Sequence, residues 1–217
     1  MYSVRTLNIS GYRGEPMPNT FLQQEEAASQ VGILLPGAAY TCQMPLLHYP
    51  AQLLLNLGAD VLQVDSDYSG QSGLQALPES ERERRLFTEG AAACHAALAQ
   101  RPYQQITLIG KSISTLTMAH LLTTDAALAH AQAIWLTPLL WSERIRVQIR
   151  HWGGRSLFVI GTADPHYNAD YLGYVQAATN SETVVIEGAN HSLEIEGDVL
   201  QSLKAIEQMM QAVKAFL

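Results

Sequence analysis

The residues that could do chemistry together begin with Ser112, in the run Gly110-Lys-Ser-Ile-Ser114. Residues 106–109 are apolar and mostly β-branched, as in a buried strand, and a helix is predicted to begin around Ile113. Ser112 then lies on a sharp turn between strand and helix, with a small residue two positions away on each side. That arrangement is typical of a nucleophile elbow, which lifts the serine hydroxyl above the edge of the sheet.

Two other interpretations of this run compete with the nucleophile elbow. Gly-Lys-Ser also ends a phosphate-binding P-loop, but that motif needs a glycine where this chain has Gln105, so the P-loop interpretation fails. The run alone does not exclude an ordinary strand-to-helix turn whose serine has no catalytic role. Ser114 stands where an elbow usually has glycine, and it weakens the match because serine carries a Cβ.

Two further polar residues follow predicted strands by a few positions. Asp164 follows the predicted strand 157–160, and His191 follows the predicted strand 183–186. Functional residues of parallel sheets gather beyond the carboxyl ends of the strands. We therefore expect Ser112, Asp164 and His191 to form a proton-transfer chain of nucleophile, orienting carboxylate and general base.

Other candidate groups are weaker. His166 lacks a strand-end setting but is the one rival histidine, because it lies two residues after Asp164; the remaining five lie in predicted helices or away from strand ends. No set of His, Cys, Asp and Glu has zinc-ligand spacing, so no metal site is predicted. Asp65 and Asp67 are interpreted as loop and cap residues.

A second elbow-like sequence, Gly70-Gln71-Ser72, is rejected because Leu74 stands where a small residue is needed.

The loop Pro36-Gly-Ala-Ala-Tyr40 follows another predicted strand, at 31–35. Small residues there let backbone N–H groups face a ligand. We expect the N–H of Ala38, or next to it Ala39, to join the N–H of Ile113 as an oxyanion donor; a plain turn is the alternative. Tyr40 and Trp141 could line a substrate pocket, although such aromatic residues can also serve packing alone.

The elements that must position these residues alternate between strands and helices. This predicts a single α/β domain, residues 1–217, with a mostly parallel sheet and helices on both faces. An N-terminal hairpin is expected from residues 5–10 and 20–24. Helices are expected over 44–57, 78–100, 113–122 and 198–217, and helix-like spacing extends over 137–151. The last helix is predicted to turn Leu200, Leu203, Ile206, Met210 and Val213 to the core.

Composition limits the class of protein. The 217 residues include 47% hydrophobic and 15% charged residues, and the net charge of −7 argues against nucleic acid or anionic membrane as a partner. Cys42 and Cys94 match no metal or redox spacing, and Cys94 is expected to be a buried free thiol. No signal core and no run of ~18 apolar residues is seen, which predicts a cytoplasmic protein.

The chain resembles small, lidless α/β-hydrolases of the dienelactone-hydrolase-like branch, with serine in place of that branch's cysteine. The resemblance rests on Leu35-Pro-Gly-Ala-Ala-Tyr40, Gly110-Lys-Ser-Ile-Ser114, Gly161-Thr-Ala-Asp-Pro165 and Gly188-Ala-Asn-His-Ser192. It implies hydrolysis of a small carboxylic ester or thioester without a cofactor. Residues 137–154 are too few for a large cap. Two alternatives remain: a catalytically inactive binding protein on this scaffold, and an amide or peptide hydrolase with the same triad.

Overall fold

The computed structural model describes residues 1–69 and 73–217, so the rejected sequence Gly70-Gln71-Ser72 lies outside the described residues. The strands are β1 (Tyr2–Arg5), β2 (Asn19–Gln24), β3 (Gln30–Leu35), β4 (Asp60–Val64), β5 (Gln105–Lys111), β6 (Gln132–Leu136), β7 (Ser156–Gly161) and β8 (Ser181–Ile186). They form one sheet in the order β1-β2-β4-β3-β5-β6-β7-β8.

The helices cover both faces of this sheet. They are α1 (Pro45–Asn56), α2 (Glu79–Leu98), α3 (Ser114–Thr124), α4 (Glu143–Trp152), α5 (Ala169–Gln176) and α6 (Val199–Phe216). One apolar core lies between the sheet and α2 to α5, and the other lies between the sheet and the pair α1 and α6. The central strands β3, β4, β6 and β7 are buried on both faces, which explains their near-continuous apolar sequences.

Strand directions decide where the polar loops meet. β1 with β2 and β2 with β4 pair antiparallel, whereas every pair from β4 through β8 in the order of the sheet is parallel. The carboxyl ends of β3, β5, β7 and β8 therefore lie along the same edge. The loops with Ala38, Ser112, Asp164 and His191 all leave the sheet at that edge. The predicted mostly parallel α/β architecture is confirmed.

The first strand is not where the sequence predicted it. Residues 5–10 alternate in polarity, but the strand that pairs with β2 is Tyr2–Arg5, an exposed edge strand. Leu7 and Ile9 are buried without joining the sheet. The Asn19 side chain holds this segment, because it accepts from the Leu7 N–H and donates to the Leu7 carbonyl, both at 2.9 Å. Hydrogen bonds from the Asn19 side chain thus take the place of the backbone hydrogen bonds that a strand over residues 5–10 would make.

The predicted core side of the last helix is only partly right. Val213 is fully buried, and Ile206 and Met210 are partly buried against the core, but Leu200 and Leu203 are not buried. Leu200 and Leu203 are 71% and 57% exposed. The buried side of α6 consists of Ala205, Met209, Val213 and Phe216. This helix has apolar residues on two neighbouring stripes, and contact with α1 and β7 decides which stripe is buried. Helical spacing alone does not distinguish the two.

α5 was not predicted from the sequence; it is short and contains Gly173. Cys42 and Cys94 are both free and buried, as expected for Cys94.

Within the described part of the chain, no helix is long and apolar enough to cross a membrane. Between β6 and β7 the chain forms a short turn and α4, and residues 1–69 and 73–217 include no large cap.

Candidate active site

Ser112 lies in the tight turn that joins β5 to α3. Its φ angle is +52°, a left-handed conformation that is uncommon outside glycine and typical of a strained elbow. Its N–H donates to the Leu136 carbonyl at 3.1 Å, which ties the turn to the end of β6. A Cβ on Gly110 would lie 2.2 Å from the Met118 sulfur. A side chain at that position would therefore force the buried Met118 side chain of α3 to move.

The small residues Gly161 and Ala189 bring the loops of Asp164 and His191 together. A Cβ on Gly161 would lie 1.9 Å from the Ala189 carbonyl oxygen, so the two backbones approach closely only because residue 161 is glycine. That carbonyl accepts from the Ala163 N–H at 3.0 Å. The two loops consequently form one unit beyond β7 and β8.

The Asn190 side chain shapes the turn that carries His191. Its Oδ1 accepts from the N–H groups of Ser192 at 2.8 Å and Glu194 at 3.1 Å. Asn190 itself donates its backbone N–H to the Glu194 carbonyl at 2.9 Å. These bonds close a compact loop, so the direction of the imidazole is set by its neighbours in sequence.

The three predicted residues meet in a continuous chain of hydrogen bonds. The Nε2 of His191 lies 2.8 Å from the Ser112 hydroxyl oxygen, and the Nδ1 of His191 lies 2.8 Å from Oδ2 of Asp164. The Asp164 side chain is fully buried, whereas that of His191 is 29% exposed. This geometry fits an imidazole that donates from Nδ1 to the carboxylate and accepts the serine proton at Nε2.

Asp164 is an ionised carboxylate in this setting. Burial raises its pKa, but hydrogen bonds from His191 and from the backbone N–H of His166 together outweigh burial and hold the pKa below its ordinary value. Its second oxygen, Oδ1, accepts that His166 N–H at 2.9 Å. Both carboxylate oxygens therefore have donors.

The predicted oxyanion donors lie beside the serine. A Cβ on Gly37 would be 3.7 Å from the Ser112 Cβ, so the loop with Ala38 passes next to the nucleophile. Ala38 and Ile113 pack against the same small apolar cluster. Among the hydrogen bonds of residues 1–69 and 73–217, neither the Ala38 N–H nor the Ile113 N–H has an acceptor. Two unpaired donors at this edge are what an oxyanion site requires.

Ser114 has a partner that the sequence did not indicate. Its hydroxyl donates to the carbonyl of Pro36, the residue that opens the loop with Ala38. Ser114 is 2% exposed. Serine at the usual glycine position of the elbow therefore links the start of α3 to the loop with Ala38, and it leaves the tight turn intact.

Lys111 is a site residue that sequence reasoning missed. It is 2% exposed, and its ammonium lies 4.7 Å from the centre of the Tyr40 ring. Burial lowers its pKa to about 8, although the charge of Asp164 works in the opposite direction. The signal in the sequence is a single lysine between an apolar strand and the elbow.

His191, and not His166, makes the hydrogen bond to Ser112. The His166 ring lies edge-on to the His191 ring, with centroids 5.1 Å apart and planes at 82°. Burial lowers the pKa of His166, opposed by Asp164 and helped by His191 and Lys111. The sequence predicted no metal site, but Asp164, His166 and His191 each offer a ligand atom, and these atoms lie within 4.8 Å of one another.

Tyr40 and Trp141, the predicted substrate-binding residues, occupy different settings. Tyr40 lines a cavity of about 340 Å³ together with residues 36–39 and 64–67. Its hydroxyl accepts from the Leu46 N–H at 2.9 Å, and burial raises its pKa to about 12. Trp141 is 58% exposed and is not among the residues that line this cavity.

Comparisons with known proteins identify the fold. No family model matches the chain, and no curated protein matches it. Among solved structures, an esterase of Pyrococcus furiosus superposes with a TM-score of 0.75 at 14% identity, over 100% of this chain and 92% of that one. A serine hydrolase without a lid from Xanthomonas campestris gives 0.64 at 16% identity, over 100% and 95%.

A dienelactone hydrolase-like promiscuous phosphotriesterase from metagenomic libraries gives a TM-score of 0.71 at 15% identity, over 99% of this chain and 98% of that one. At such identities the likeness concerns the fold. The chain therefore has the α/β-hydrolase fold of lidless hydrolases, and that prediction from the sequence is confirmed.

Proposed function

We propose that this protein is a serine hydrolase that cleaves a small carboxylic ester or thioester through an acyl-enzyme. The observation that supports it best is the pair of 2.8 Å contacts that join Ser112 to His191 and His191 to Asp164. The likeness in fold to esterases and lidless serine hydrolases supports the same class of reaction.

The reaction would begin with proton transfer from Ser112 to Nε2 of His191 as the serine oxygen attacks the substrate carbonyl carbon. The N–H groups of Ile113 and Ala38 would hold the oxyanion of the tetrahedral intermediate, each contributing roughly 3 kcal/mol. His191 would then give its proton to the leaving alcohol or thiol as the acyl-enzyme forms. Water, activated by the same imidazole, would release the acid and restore the hydroxyl.

Asp164 would act through His191. Its buried carboxylate would accept a hydrogen bond from Nδ1–H, select the tautomer with a free lone pair on Nε2, and stabilise the imidazolium that forms during attack. The low pKa of Asp164 keeps it ionised throughout the neutral range.

The surroundings favour a small substrate. The cavity of about 340 Å³ adjoins the loop of Ala38 and includes the Tyr40 side chain, which would contact the acyl or leaving group. Trp141 lies exposed after β6 at the same edge of the sheet, where it could meet the outer part of a longer substrate. With no large cap, the serine would be reached directly from solvent.

The test is turnover of p-nitrophenyl acetate and butyrate by Ser112→Ala. Loss of the nucleophile should lower kcat by about 10³-fold or more. Ser181→Ala is the matched control, because Ser181 opens β8 at the opposite edge of the sheet. A Ser112→Ala protein that turns over both esters at the parental rate would refute the proposal. A wild-type protein inactive on esters but reactive on matched anilides would point to the amide alternative.

A further inference from the structure

The proposed mechanism leaves His166 unused, although this residue stands beside the pair of Asp164 and His191. The two imidazole rings meet edge to face with their centroids 5.1 Å apart. One ligand atom from each of the three side chains lies within 4.8 Å of the other two. In the part of the chain that the structure describes, no other group of three His, Cys, Asp or Glu side chains is as compact.

The donor set fits zinc. Two imidazole nitrogens and one carboxylate oxygen are ligands that Zn²⁺ accepts, whereas Mg²⁺ and Ca²⁺ prefer oxygen donors alone. Ligand atoms of a tetrahedral zinc lie about 3.4 Å apart, because each bond is about 2.1 Å long. Side-chain shifts of about 1 Å would bring the atoms to this spacing. Separations of up to 4.8 Å would shorten, and the 2.8 Å contact between Nδ1 of His191 and Oδ2 of Asp164 would lengthen if zinc takes those two atoms.

The two histidines have room for such shifts and the aspartate does not. The Asp164 carboxylate is fully buried and held on both oxygens, while His191 is 29% exposed and His166 is half-buried. The buried carboxylate is thus a fixed ligand, and the partly exposed rings provide access from solvent.

We propose that Zn²⁺ binds reversibly to Asp164, His166 and His191 and thereby switches off the hydrolytic site. Zinc would take Nδ1 of His191, and the proton that Nδ1 carried would move to Nε2 of the same ring. Nε2 then has no lone pair for the Ser112 proton, so the serine cannot be activated. A water molecule would complete the four ligands. The inhibition rests on the proposed function, but the binding does not.

The charge around the site favours reversible binding. Asp164 supplies the negative charge of the ligand set, and the neighbouring Lys111 ammonium interacts with that same carboxylate. Adding a divalent cation here brings two positive groups close together, which weakens the complex. We therefore expect a chelator to remove the zinc and restore activity.

Binding is tested by titration calorimetry of zinc into Ser112→Ala, which keeps all three ligands and lacks the nucleophile. One zinc per chain is expected at this site. Adding His166→Gln should weaken binding by at least ~100-fold, because a direct ligand is lost. His151→Gln, which removes an exposed imidazole of α4, is the matched control and should leave the affinity unchanged. Equal affinity with and without His166 would overturn the proposal, provided circular dichroism shows both variants folded.

A second measurement reports the ligands directly. Co²⁺ in place of zinc should give the visible absorption of a four-coordinate site in Ser112→Ala, and His166→Gln should abolish it. In the wild-type protein, zinc should lower ester turnover and EDTA should restore it, while Mg²⁺ has no effect. Turnover by His166→Gln, compared with the same variant free of zinc, should no longer respond to the metal.

The outcomes separate the two proposals. Zinc binding to a protein that hydrolyses no ester would refute the proposed function and leave the metal site standing. Ester hydrolysis that is insensitive to zinc, with no cobalt spectrum, would refute the metal site alone.

Discussion

Lys111→Met should stabilise the fold, and the gain should depend on pH. The Lys111 pKa falls from its ordinary 10.5 to about 8 because the ammonium is buried at 2% exposure. At neutral pH the folded protein thus holds a charged group at a cost of about 3 kcal/mol. Contact with the Tyr40 ring offsets roughly 1 kcal/mol of that cost. Methionine has a similar shape and no charge, so the free energy of unfolding at pH 7 should rise by about 2 kcal/mol.

The sign of the pH dependence follows from proton counts. Between pH 8 and 10.5 the unfolded chain keeps the Lys111 proton and the folded protein loses it, so the wild type gains stability relative to Lys111→Met as pH rises. The advantage of methionine should shrink by about 2 kcal/mol between pH 7 and pH 9.5. Tyrosine and cysteine titrations are common to both proteins and cancel in the difference.

The assay is urea unfolding of the wild type and Lys111→Met at pH 7, 8, 9 and 9.5. Lys204→Met, on the exposed side of α6, is the matched control and should change stability by less than about 0.5 kcal/mol at every pH. A difference between wild type and Lys111→Met that stays constant from pH 7 to pH 9.5 would refute the assignment of a buried, destabilised ammonium.

Three further predictions concern the site. Ser114→Ala removes the donor to the Pro36 carbonyl and should lower kcat about 10-fold, with little change in KM, in steady-state ester hydrolysis. Gly161→Ala places a Cβ 1.9 Å from the Ala189 oxygen and should lower the free energy of unfolding, measured in urea, by about 2 kcal/mol or more. Asp164→Asn should reduce kcat by about 10⁴-fold with a nearly unchanged urea midpoint, because the amide favours the wrong imidazole tautomer. A variant that keeps the wild-type kcat or free energy of unfolding in its measurement would contradict the role assigned to the contact that it alters.

Much of the fold could be predicted from the sequence because the buried strands have local signals. The apolar runs that end in Gly110 and Gly161 mark where β5 and β7 stop, and the strand-end rule then places the polar loops at one edge. Where two patterns competed, the sequence was misleading. Leu200 and Leu203 of α6 are exposed although they belong to an apolar stripe, because packing against α1 favours the side of the helix with Ala205 and Met209.

The parts of the site that sequence reasoning missed depend on long-range contacts. Lys111 is buried because the loop of Tyr40, about 70 residues earlier in the chain, folds over it, and nothing near Lys111 in sequence indicates this. Ser114 meets Pro36 across a similar separation. The His166 ring contacts the His191 ring and its backbone N–H binds Asp164, and spacing alone does not reveal either contact.

The central claim is that His191 and Asp164 make the Ser112 hydroxyl nucleophilic. It is tested most directly by intact-mass spectrometry after incubation with a fluorophosphonate, followed by peptide mapping. The account predicts a single covalent adduct on Ser112 in the wild type, none in Ser112→Ala, and much slower labelling in His191→Ala. A folded wild-type protein that forms no adduct, or an adduct on another residue, would contradict it.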